Sequence, residues 1–90
     1  MFIDRLINLL TMIRNNKRIL NCELLYELMT SLDNQIEIFV SNNLYLIYLD
    51  EKTKLYEKSI STNKEELNDT EHFMTVIKDL IDDLRIKANT

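Results

Sequence analysis

Residues 32–49 read LDNQIEIFVSNNLYLIYL and decide which fold class the sequence predicts. Between residues 35 and 41, polar side chains are interleaved with β-branched Ile and Val, a composition typical of a half-buried strand. Residues 44–49 form a second run of Leu, Tyr and Ile. Asn42 and Asn43 lie between the two runs and accept the positive φ angles of a two-residue hairpin turn. The stretch therefore predicts a β-hairpin.

The register of this hairpin is consistent with one buried face. A turn at residues 42 and 43 aligns three apolar pairs on that face: Val40 with Tyr45, Ile38 with Ile47, and Ile36 with Leu49. Residues 54–60 are more mixed in polarity, as an edge strand would be. The middle of the chain is therefore predicted to be a three-stranded antiparallel meander.

Helices are predicted on both sides of the meander. Apolar residues recur at three- and four-residue spacing over residues 2–14, and the polar residues 15–18 end that helix. Asn21 is a candidate N-cap for a second helix that extends to about residue 32, with one uninterrupted helix over residues 2–32 as the alternative. Residues 73–84 predict a long amphipathic C-terminal helix, capped by Asp69 or Thr70, or from Thr62 if it begins earlier.

These elements predict one small α+β domain over residues 1–90: two N-terminal helices, the meander and the C-terminal helix. The chain has no Gly, which argues against a phosphate-binding loop, and Cys22 and His72 are the only residues of their types. Neither belongs to a cluster with metal-ligand spacing, and no catalytic motif occurs. We therefore expect no enzymatic activity, cofactor, metal or small-molecule substrate, and a cytoplasmic protein without a membrane anchor.

The preferred functional interpretation is a protein-binding module. An exposed sheet edge can accept a partner strand, and aromatic side chains are frequent interface anchors, so the candidate contacts are Tyr45, Tyr48, Tyr56 and Lys58. Small size, a net charge of −4 and a composition rich in Ile, Asn and Lys are also typical of phage and mobile-element inhibitors of host machinery, anti-CRISPR proteins among them. The expected partner is a host or cognate protein.

Two further surfaces are candidates for contacts. Acidic side chains in the last third of the chain would imitate a row of phosphates if they shared one face; they are Glu65, Glu66, Asp69, Asp79 and Asp83. The C-terminal helix also offers Met74 or Ile86 to a second copy, which predicts a homodimer. For the acidic residues, the interspersed lysines and arginines favour an ordinary solvated helix face over the imitation of phosphates.

The alternative function is DNA binding. Residues 5–10, 15–19 and 23–28 resemble the opening of winged-helix regulators, with a helix, a short basic connector and a second helix, and residues 44–60 would be the wing. The resemblance implies a DNA-binding transcriptional regulator that contacts phosphates through Arg14, Lys17, Arg18 and Lys52. Its recognition helix would be residues 32–43, which contain no Lys or Arg. A strand there favours protein binding, and a helix beginning at Ser31 favours DNA.

Overall fold

The computed structural model describes residues 2–61 and 63–90, and those residues form helices and short connections. Four long helices and one short helix follow in order: α1 (Phe2–Asn15), α2 (Cys22–Phe39), α3 (Asn42–Ser59), α4 (Lys64–Asn68) and α5 (Glu71–Ala88). A single 3₁₀ turn, Lys17–Ile19, lies between α1 and α2. No strand occurs among these residues, so the molecule is a helical bundle and the α+β prediction is wrong.

The first predicted strand is the C-terminal half of α2. Leu25, Met29, Leu32 and Ile36 continue at four- and three-residue spacing, and all of them are buried on one face of the helix. In a strand, Ile36 and Ile38 would point to the same side of the sheet. Instead Ile36 is fully buried whereas Ile38 is 73 % exposed. Helical spacing across residues 25–36 therefore overrides the β-branched composition of residues 36–40.

The second and third predicted strands are both part of α3. Asn42 and Asn43 begin this helix, and no residue in the described ranges adopts a positive φ. The chain reverses just before them, where Val40 and Ser41 have extended backbones with ψ angles of 162° and 150°. The reversal of chain direction predicted here is present, but it joins two helices instead of two strands.

The winged-helix prediction is also wrong as a description of the fold. Residues 44–60 would form the wing, but they are helical up to Ser59. The proposed recognition helix does not begin at Ser31, because α2 runs without interruption from Cys22 to Phe39. Neither of the two structures expected for residues 32–43 is therefore present.

The predictions for the two ends of the chain agree with the structure. α1 covers the predicted first helix, and the break after it excludes the uninterrupted alternative. The side chain of Asn21 accepts a hydrogen bond from the Leu24 backbone N–H at 2.8 Å, which confirms it as the N-cap of α2. Thr70 is the N-cap residue of α5, although its side chain makes no capping bond. The alternative start at Thr62 lies outside the described residues.

Packing pairs α2 with α3 and α1 with α5, while α3 and α5 also touch. The two-residue connection makes α2 and α3 antiparallel, and contacts from Tyr48 and Lys52 of α3 to residues 29–33 of α2 agree with this arrangement. Tyr48 is the largest fully buried side chain, and its ring lies 6.0 Å from that of Phe73 in α5. α5 contributes the longest buried stripe: Phe73, Met74, Val76, Ile77, Leu80, Ile81 and Leu84.

Candidate functional site

An apolar groove lies between α1 and α2. Its walls are Leu9, Met12 and Ile13 from α1 and Leu28 and Leu32 from α2, together with Leu20, Asn16 and Ser31. The groove has a volume of about 290 Å³. Met12 is 59 % exposed at its edge, and Leu9 and Leu28 are 36 % and 37 % exposed. A continuous apolar surface of this kind marks an interaction site more often than single exposed residues do.

The groove exists because α1 and α2 are adjacent in sequence but have different packing partners. α1 lies along α5 and α2 lies along α3, so that α1 and α2 touch each other only slightly. Leu9 and Met12 of α1 and Leu28 and Leu32 of α2 therefore line the groove from its two sides. Asn16 and Leu20 close the end next to the connector. An apolar groove between two helices can accept a third, amphipathic helix.

The outer rim of α2 beside this groove is acidic. Glu27 precedes Ser31 by one helical turn, and Glu23 precedes Glu27 by another, so the three residues follow one another along the helix. Both glutamates are exposed, and neither makes an ion pair within the described part of the chain. The rim is therefore free to meet cations of a molecule that occupies the groove.

A second concave surface, which we call the basic concavity, lies on the other side of the connector. Arg14, Lys17 and Arg18 line it together with Asn15 and Met74, around a volume of about 540 Å³. A neighbouring hollow of about 490 Å³ shares Lys17 and Arg18 and reaches the start of α5. The predicted DNA-contacting residues Arg14, Lys17 and Arg18 are thus brought together.

Lys52, the fourth predicted DNA-contacting residue, does not join them. It is 8 % exposed, and its ammonium binds the Asp33 carboxylate and the Thr30 hydroxyl, the latter at 3.2 Å. The ammonium also lies 5.3 Å and 5.7 Å from the ring centres of Tyr26 and Tyr48. Such distances permit cation–π attraction. Lys52 is thus part of a polar cluster between α2 and α3, apart from the basic concavity.

The residues predicted to bind protein are distributed along α3, and Tyr45 and Tyr48 pack within the fold. Tyr48 is buried, and its hydroxyl donates to Asp33 and lies 3.1 Å from the Met29 carbonyl oxygen. Burial, followed by the Asp33 carboxylate, raises the pKa of Tyr48 far above its usual value. Tyr45 is half-buried, and burial together with Glu37 raises its pKa.

The other two members of that set are more accessible. Tyr56 is 46 % exposed, and its ring packs at 5.1 Å against the ring of Tyr26. The Lys58 ammonium lies 3.2 Å from the Asp69 carboxylate and lowers the pKa of that carboxyl group. Tyr45, Tyr48 and Tyr56 thus cover the core of their own fold. The structure does not bring these tyrosines and Lys58 together in one exposed patch.

Several of the predicted acidic residues hold parts of the chain together. Asp83 accepts hydrogen bonds from the Ser41 backbone N–H at 3.1 Å and from Lys87 at 2.8 Å. Burial opposes ionisation of Asp83, but these two bonds prevail and lower its pKa. Glu66 accepts from the Ser61 hydroxyl at 2.6 Å. Glu65 and Asp79 are exposed.

The residues still to be placed are Met74, Ile86, Cys22 and His72. Met74 is 5 % exposed and belongs to the core, whereas Ile86 is 65 % exposed on α5. The Cys22 thiol is buried and donates to the backbone carbonyl of Glu66 at 3.1 Å, and its sulfur also lies 3.4 Å from the carbonyl oxygen of Asp69. Burial raises its pKa. His72 is exposed on the first turn of α5.

Residues 2–61 and 63–90 contain no group of three or more His, Cys, Asp and Glu side chains that could hold a metal ion. In the same ranges, no helix combines the length and the apolar character needed to cross a bilayer.

The groove was missed because the sequence analysis assigned each helix a single buried stripe. α1 carries two neighbouring stripes, Ile3, Leu6 and Leu10 in the core and Leu9 and Met12 beside them. An apolar sector wider than one packing partner needs is the feature that could have revealed the groove.

In comparisons with known proteins, no family model, no curated protein and no solved structure matches this chain.

Proposed function

We propose that the chain is a non-enzymatic protein-binding module whose groove between α1 and α2 holds an amphipathic helix of a partner protein. The supporting observation is the groove itself, with Leu9, Met12 and Leu28 at its edge. An amphipathic helix would place side chains spaced by three and four residues between these walls. Burying such side chains on both partners supplies the main favourable free energy of association.

The charge distribution favours a partner helix with basic flanks. Glu23 and Glu27 follow the outer rim of α2, and the whole chain has a net charge of −4. Opposite charges at the edge of an apolar contact speed association and fix the orientation of the partner. The proposed occupant is therefore a helix with one apolar stripe and lysines or arginines beside it. An inhibitory role against host machinery, and a cytoplasmic location, are compatible with this activity and stay predictions.

The test is a titration of ¹⁵N-labelled protein with three synthetic helical peptides, followed by amide chemical shifts. One peptide has a Leu stripe flanked by Lys, the second has the same stripe flanked by Glu, and the third is a scrambled version of the first. We expect the Lys-flanked peptide to bind most tightly and to shift amides in residues 9–16 and 28–32. Equal binding of the scrambled peptide would show that charge alone acts and would refute the proposal.

Matched variants separate the apolar contact from net charge. Met12→Glu places a charge in the groove and should weaken binding of the Lys-flanked peptide by about tenfold, because it removes roughly 1 to 2 kcal/mol of apolar burial. Leu46→Glu makes the same charge change at a side chain of similar exposure on α3, 56 % against 59 %, and should not weaken binding. Glu27→Gln should weaken it about two- to fivefold. Equal effects of Met12→Glu and Leu46→Glu would contradict the assignment to the groove.

A further inference from the structure

The basic concavity brings together three cations that have little to neutralise them. The guanidinium groups of Arg14 and Arg18 make no ion pair with any described residue. Lys17 lies 3.5 Å from the Glu71 carboxylate, but the two side chains are 47 % and 72 % exposed. An ion pair as exposed as this one contributes little and is easily exchanged for another anion. The concavity itself is lined by no carboxylate.

This surface differs in charge from the rest of the molecule. The chain contains eleven Lys and Arg, of which these are three, against fifteen Asp and Glu. Elsewhere most lysines are paired with nearby carboxylates, as Lys52, Lys54 and Lys58 are. An anion is therefore attracted to the basic concavity and repelled by the acidic surface around the rest of the bundle.

The size of the positive surface restricts the kind of anion. Duplex DNA needs a row of cations that neutralises many phosphates along its length, and the acidic surroundings would repel the flanking phosphates. The volume of about 540 Å³ lies in the range of small-ligand sites. Arg14 and Arg18 provide planar donor groups suited to bidentate contacts with phosphate oxygens, and Lys17 adds a point charge.

The start of α5 lies beside the site but does not define it. The Lys58 ammonium and, to a smaller degree, the Glu71 backbone N–H lower the pKa of Asp69, so its carboxylate already lies at this helix end within the chain. The Glu71 side chain instead pairs with Lys17. We propose that the basic concavity binds a compact oligophosphate, either pyrophosphate or the diphosphate of a nucleotide, through Arg14, Lys17 and Arg18. Glu71 competes with this ligand for Lys17.

The test is isothermal titration of the whole protein with inorganic pyrophosphate at low salt. We expect saturable binding with a Kd below about 1 mM, and about tenfold weaker binding for Arg14→Gln and for Arg18→Gln, as loss of a charge-assisted contact implies. Glu71→Gln removes the competing carboxylate and should tighten binding about threefold. Arg85→Gln is the matched control, since Arg85 is an exposed arginine on α5 outside the concavity, and it should change the Kd by less than about twofold.

One comparison identifies the ligand, and three results would overturn the proposal. Tighter binding of ADP than of pyrophosphate would assign a nucleotide, and the reverse order would assign the free diphosphate. Absence of saturable binding, or an effect of Arg85→Gln equal to that of Arg18→Gln, would refute a specific site. Tighter binding of random-sequence duplex DNA than of either diphosphate would replace the compact ligand by nucleic acid. None of these measurements involves the apolar groove, so the two proposals fail independently.

Discussion

The buried ion pair between Lys52 and Asp33 should behave as one energetic unit. The perturbation is a double-mutant cycle of Lys52→Met, Asp33→Leu and the double variant. The Lys52 side chain is 10 % exposed and that of Asp33 is 23 % exposed, so that each charge depends on the other for most of its stabilisation. Removing one partner leaves a charge with little access to water, whereas removing both leaves none.

The structure sets the expected magnitudes. Without Asp33, the Lys52 ammonium retains the Thr30 hydroxyl and the faces of Tyr26 and Tyr48, and the loss should be about 3 kcal/mol. Without Lys52, the more exposed Asp33 retains the Tyr48 hydroxyl, and the loss should be about 2 kcal/mol. The double variant should lose about 1 kcal/mol or less, because the Tyr48 hydroxyl still has the Met29 carbonyl. The coupling free energy is then about 4 kcal/mol.

Urea unfolding followed by circular dichroism at 222 nm measures all four proteins. A 90-residue domain has about 5 to 13 kcal/mol of stability in total, so each variant should remain folded enough to measure. Lys54→Met is the control, since Lys54 pairs on the surface with Asp50 and Glu51 and its loss should leave the urea midpoint within error of the parent. Additive single losses, with a coupling below about 0.5 kcal/mol, would show that the pair does not act as a unit.

Two further predictions concern buried titratable groups. Because folding raises the pKa of Tyr48, the folded state keeps its phenol protonated while the unfolded chain ionises near pH 10, so stability should be complete below pH 10 and fall above it. Tyr48→Phe should make the fall in urea midpoint between about pH 10 and pH 11.5 shallower, and an unchanged slope would exclude Tyr48 as its source. Cys22 is fully buried with a raised pKa, so it should react with an aromatic disulfide reagent at neutral pH only as fast as the protein unfolds. Reaction at the rate of a free thiol, in absorbance at 412 nm, would contradict the burial of Cys22.

Local sequence patterns were sufficient to predict the helices at the two ends of the chain. α1 and α5 have apolar residues at helical spacing. The polar break after Asn15 and the N-cap at Asn21 are also local signals, because each affects only residues a few positions away. The reversal of chain direction near residue 41 was also predictable from its polar residues, because that signal is local as well. Helical spacing from Leu25 to Ile36 was also present in the sequence, and the β-branched composition of the next residues was given too much weight.

The helical state of α3 was decided by tertiary contacts. Its buried face contains Tyr48, Lys52 and Leu55, and a lysine in the middle of that face interrupts the apolar pattern that would identify a helix. Lys52 is tolerated there because Asp33, nineteen residues earlier and on another helix, neutralises it. The apolar groove has the same kind of origin, since only the separate pairing of α1 with α5 and of α2 with α3 leaves Met12 and Leu28 uncovered. Contacts between residues distant in sequence decide which apolar stripe becomes core and which stays exposed to solvent.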